Sequence, residues 1–186
     1  MKSLRRTAPL LASLALASVA LADATPAIAG DPPQGCIEFA WDVRAEHLLF
    51  AMKPVILAAG VDRASTPVVT VDRLYQLELQ PQTGVKFPTP PGVREARPEG
   101  FGGLAQLQVA VPGTYRISAD QPLWVDVAFN GALLKPLDYQ GRRDCTNPHK
   151  IVEFQLPMGV NLTLQVSNAT SASARISITP TPDPAH

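Results

Sequence analysis

Apolar and polar side chains alternate with period two through most of this chain, and no other feature restricts its fold as strongly. Successive side chains on a strand point to opposite faces, so strict alternation marks strands with one buried face. Ile37, Phe39, Trp41 and Val43 point one way, with Glu38, Ala40, Asp42 and Arg44 between them. Tyr75, Leu77 and Leu79 repeat the pattern, as do Ala105, Leu107, Val109 and Val111. Leu123, Val125, Val127 and Phe129 follow, then Val152, Phe154 and Leu156. Val160, Leu162, Leu164 and Val166 come next, and Ile176 and Ile178 close the set. Short strands separated by turn residues predict an all-β chain, folded as an antiparallel β-sandwich or jelly-roll-like domain.

The turns have their own chemistry. Asn130-Gly131 lies between two alternating runs and suits a type I′ hairpin, whose central residues both need φ > 0. Pro112-Gly113 and Pro157-Met-Gly159 punctuate two further junctions. Two stretches break the alternation. Val43 to Met52 offers Asp42 as an N-cap and apolar Leu48, Leu49 and Met52, which predicts one short N-terminal helix before Pro54. Phe87 to Gly103 holds four prolines and four glycines and reads as a long surface loop, mobile or functional. From residue 180 the Pro-rich tail is expected to be disordered.

Before the alternation begins, Lys2, Arg5 and Arg6 precede the apolar run Leu10 to Leu21, which leads to Ala20-Leu-Ala22 and Ala27-Ile-Ala29. This is the layout of a secretory signal peptide over residues 1–29, cleaved after Ala22 or Ala29. The mature chain, one domain over 30–179, is therefore expected in the periplasm or outside the cell. Cleavage after Ala29 leaves 13 basic and 15 acidic residues, a net charge near −2. That balance argues against nucleic acid, whose binders carry a basic stripe. No later segment is apolar for long enough to span a bilayer.

Cys36 and Cys145 are the only cysteines. In an oxidising compartment an even pair reads as a disulfide. The bond would close a loop of about 110 residues, worth ~4–5 kcal/mol on chain-entropy grounds. No C-x-x-C motif supports a redox role.

Motifs for chemistry are sparse. The histidines are His47, His149 and His186, and a two-His-one-carboxylate site would have to gather His47, His149 and, for example, Glu46. No histidine falls in a metal-type spacing, so neither metal nor cofactor is expected. No G-x-S-x-G elbow is present. Trp124 and Asp126 alternate with the apolar set of their strand, and so face outward, where they would grip a sugar ring or a peptide. A two-sided strand whose Trp124 packs under a loop explains the same pattern. The densest polar stretch, Asp138 to Lys150, adds Tyr139, Arg142 and His149 on a segment that Cys145 would anchor. Trp124, Asp126, Tyr139, Arg142 and His149 form the candidate ligand site.

Four segments, Pro112 to Ser118, Trp124 to Val127, Gly141 to Cys145 and His149 to Phe154, resemble a family of small exported proteobacterial β-rich proteins. The similarity runs from about Cys36 to Thr179. Some members are described as homogentisate dioxygenases, which implies a cupin-type iron site. This chain lacks the His-rich ligand motif of such a site. Gly113 to Ile117 also resembles a strand of secreted β-sandwich modules that flank enzymes or bind carbohydrate. The expected function is thus a non-catalytic binding or accessory module. Its partner would be a carbohydrate, an envelope component or another exported protein. A metal-dependent enzyme such as a dioxygenase is the alternative.

Overall fold

A computed structural model describes residues 39–93, 95–158 and 162–182, all within one unit, Pro32–His186. The expected leader, Cys36, Ile37, Val160 and residues 183–186 lie outside the described residues. Among the described residues twelve strands build two sheets, and the fold is all-β and sandwich-like. The first sheet runs in the order β1 (Val55–Ala58), β3 (Arg73–Glu78), β12 (Ser173–Pro180), β6 (Gly113–Ala119), β10 (Lys150–Leu156) and β9 (Asp138–Gly141). The second runs β2 (Val68–Thr70), β5 (Phe101–Gln108), β11 (Leu162–Ala169), β7 (Trp124–Phe129) and β8 (Ala132–Leu133), with β4 (Gln80–Pro81) also paired to β5.

The two sheets face each other through the alternating residues. Tyr75, Leu77, Ile117, Phe154, Ile176 and Ile178 come from the first sheet, and meet Ala105, Leu107, Val125, Val127, Leu162 and Leu164 from the second. Each fully buried side chain of this size contributes ~1.5–3 kcal/mol of transfer free energy. In the same layer, Gly103 leaves room for Ala59, with which a Cβ there would collide.

The pairing is not purely antiparallel, as the alternation had suggested. β1 pairs β3 in parallel, and β2 pairs β5 in parallel, both at sheet edges. The cause is the path of the chain. It crosses to the other sheet after β1, β2 and β3, so β1 and β3 are separated by two reversals and end up codirectional. The junctions at Pro112-Gly113 and Pro157 also pass between sheets rather than closing hairpins. Asn130-Gly131 does close one: its φ angles are 50° and 80°, and Phe129 pairs with Ala132.

Near the N-terminus the outcome differs from the sequence pattern. Residues 39–43 form no strand; Phe39 packs with Cys145 and Ile151, and Trp41 and Val43 pack beside them. The helix, α1 (Arg44–Phe50), lies against β12 and β3. Asp42 accepts the Arg44 backbone N–H at 3.1 Å and pairs with its guanidinium at 2.6 Å. This arginine holds the Asp42 carboxyl down at about 2. The buried face of α1 is Glu46 and Phe50, whereas Leu48 and Met52 are 64% and 60% exposed. The helix is inverted relative to its apolar pattern because the sheet face beneath it is polar. Arg116, Ser118, Ser177 and Thr179 occupy that face and are buried.

The Arg116 guanidinium organises this layer. It lies 3.1 Å from Glu153 and 3.8 Å from Glu46, donates to the Asp42 carbonyl at 2.7 Å, and stacks 4.7 Å from the Trp41 ring centre. Thr179 donates to Glu46 at 2.7 Å. β12 continues through Pro180, and Thr181 donates to the Thr114 carbonyl and to Glu153. No helix among the described residues is long and apolar enough to cross a membrane.

Candidate ligand-binding site

The outward face of the second sheet is polar but covered. On β7 and β11 the register sets Trp124 opposite Ser167 and Asp126 opposite Gln165. Residues two apart on a strand share a face, so the Trp124 indole N–H reaches Asp126 Oδ1 at 3.0 Å. The Pro-rich segment before β5 crosses this face as a strap. Gln165 bonds both the N–H and the carbonyl of Thr89, at 3.3 and 3.0 Å. Asp126 Oδ2 accepts the Gly92 N–H at 3.0 Å. Asn168, at φ 55°, accepts the Arg97 N–H at 2.9 Å and donates to the Glu95 carbonyl at 2.7 Å. The long loop expected over Phe87 to Gly103, mobile or functional, is a pinned cover, and it ends at Gly100, since Phe101–Gln108 is already β5.

Burial shifts two groups here. Desolvation raises the Asp126 carboxyl above its usual range, against the pull of the Gly92 and Trp124 N–H groups. Desolvation lowers the Lys150 ammonium, against the pull of Asp126. The Lys150 Nζ lies 4.8 Å from the Trp124 ring centre and donates to the Leu123 carbonyl at 3.1 Å.

Beside this pair, an open pocket of about 260 Å³ is lined by Trp124, His149, Lys150, Asn168 and Arg97, with Pro122 and Leu123 as its apolar wall. Its components come from the β6–β7 connection, the start of β10, the end of β11 and the strap. His149 is fixed on both sides: its backbone N–H donates to Ala119 and its carbonyl accepts from Arg142. Its Nδ1 lies 3.1 Å from the Cys145 carbonyl.

The five residues singled out from sequence divide accordingly. Trp124 and His149 line the pocket, and Asp126 stands behind Trp124, bonded to it. Tyr139 is 68% exposed on β9, the outer strand of the first sheet, and does not line the pocket. Arg142 lies 5.3 Å from the Phe39 ring centre and also stays outside. Arg97, Lys150 and Asn168 complete the pocket without having been singled out. Lys150 ends the polar stretch already noted, but nothing local in the sequence marks Arg97, which the strap brings in, or Asn168, which the pairing of β11 with β7 sets beside Trp124. Among the described residues no group of three or more His, Cys, Asp or Glu side chains is placed to hold a metal ion. Glu46, weighed as a partner for His47 and His149, is bonded to Thr179 instead.

Compared with protein-family models, curated proteins and solved structures, the chain matches none.

Proposed function

We propose that this protein is an exported, non-catalytic binding or accessory module that holds a small ligand at one end of its sandwich. The observation that carries the reading is the pocket in which Trp124, His149 and Lys150 meet, each fixed by contacts to the scaffold. Sites of this kind combine an apolar wall with a few convergent polar groups on rigid elements. Export is supported by the basic-apolar-small pattern of residues 1–29. A Cys36–Cys145 disulfide is supported by the even cysteine count, by the burial of Cys145 against Phe39 and Ile151, and by the finding of no free cysteine among the described residues. The bond would tie the N-terminal segment to the loop that carries His149.

The test is a thermal-shift and calorimetric screen of neutral sugars, acidic sugars and cell-wall fragments, with metal content measured on the same protein. One ligand class should raise the melting temperature and release heat on binding. Lys150→Ala should weaken that binding by at least roughly tenfold, about 1.4 kcal/mol. Stoichiometric iron or zinc that is lost in His149→Ala would overturn the reading in favour of a metal-dependent enzyme.

A further inference from the structure

The mature chain is slightly acidic, yet every charged or titratable side chain lining the pocket is basic: Arg97, His149 and Lys150. Asp126, the acid whose charge acts on Lys150, does not line it, and both its oxygens accept N–H groups from Trp124 and Gly92. Lys150 spends one N–H on the Leu123 carbonyl, and no hydrogen bond engages the Arg97 guanidinium among the described residues. A partly buried cation with spare donors beside a second cation is complementary to a carboxylate. The rest of the lining suits a ring with hydroxyl groups. Pro122, Leu123 and Trp124 supply the apolar wall, while His149 Nε2 and the second amide hydrogen of Asn168 make no bond among the described residues. The volume, about 260 Å³, is below that of most drug-sized sites, and fits one ring rather than a chain of them.

We propose that the pocket takes a single-ring acid of the uronic-sugar class, its carboxylate held by Lys150 and Arg97 and its hydroxyls by His149 and Asn168. This rests on the binding-module reading and names the ligand chemistry of the same site. The experiment is calorimetric titration of the full exported chain with D-glucuronate and D-galacturonate, each against its neutral parent sugar, and with inorganic sulfate.

At least one uronate should bind roughly tenfold or more tightly than its parent sugar, and more weakly as salt rises. Lys150→Met should abolish the preference and Lys150→Arg should retain it. Arg97→Gln removes a guanidinium that makes no hydrogen bond among the described residues, so it should reduce the preference several-fold in a protein that folds normally. Equal binding of uronate and parent sugar would overturn the carboxylate assignment and leave the pocket reading standing. Sulfate binding as tightly as the uronates would overturn the ring assignment. Uronates that fail while another screened ligand binds would sink the ligand class alone. If nothing in either set binds, the binding-module reading fails with it.

Discussion

Arg116 is a cation almost without water, 5% exposed, with a carboxylate on each side and an indole across its face. Taking such charges out of water is costly, and breaking the cluster from one side costs more than the cluster itself contributes. Arg116→Met should lower unfolding free energy by ~3–5 kcal/mol, because the buried Glu46 and the partly buried Glu153 are left without their cation. Urea denaturation of Arg116→Met beside Arg116→Lys checks it, with the lysine variant losing less. A second residue-scale expectation concerns Asp126. Its folded-state pKa is raised by desolvation, so the folded protein keeps this proton at pH values where the unfolded chain has lost it. In the window from about 3.9 up to the raised folded value, the native state binds more protons, and stability falls as pH rises. The stability of Asp126→Asn, measured in urea across the same window, should lack this part of the slope. A difference between the two proteins that does not change with pH would show that burial of the carboxyl has no energetic weight.

Among the elements, the strap depends most on a few side chains. Gln165 is 1% exposed and bonds only main-chain groups of Thr89 in the strap. Gln165→Ala should cost ~1–3 kcal/mol, since it strands a partly buried N–H and a carbonyl together. Amide exchange should separate local from global effects: residues 86–100 should exchange faster, while β6 and β12 keep their protection. Equal acceleration throughout would mean that the strap is part of the sandwich's cooperative unit. α1 teaches a different lesson about elements. Of the apolar residues that marked it, Leu48 and Met52 are exposed and Leu49 half-buried, while the helix buries Glu46 and Phe50, one turn apart on the other side. A helix this short takes its orientation from the surface that receives it, and that surface holds Arg116 and Thr179.

At the scale of the whole molecule, the inner faces of two sheets form one apolar layer to which all the longer strands contribute. Val125 and Leu164 lie in it, 5% and 0% exposed, while Gln108 is exposed at the end of β5. Val125→Asp and Leu164→Asp should each abolish soluble expression, because an unpaired charge there has no partner and no water. Gln108→Asp should express and melt like the parent. Soluble, cooperatively folding Val125→Asp would mean that β7 presents its other face to the core.

Alternation was enough to sort inner from outer residues on β3, β5, β7, β10, β11 and β12, because the period of side-chain direction is a local property of an extended backbone. The Asn130-Gly131 turn was legible for the same reason, since positive φ is a property of the residue itself. The sequence alone therefore determined an all-β chain, its buried face and one of its hairpins. It left open which strands become neighbours, because pairing joins residues far apart along the chain. The parallel edges β1 and β2, and the failure of Trp41 and Val43 to enter a strand, both follow from that. The pocket is likewise a product of tertiary structure. Trp124 and His149 could be singled out by residue type, but Asn168 reaches them because β11 pairs with β7, and Arg97 because the strap crosses the sheet and is pinned at Gln165, Asp126 and Asn168. Those hydrogen bonds span 34 to 76 residues of sequence, a range at which no local pattern constrains what meets what.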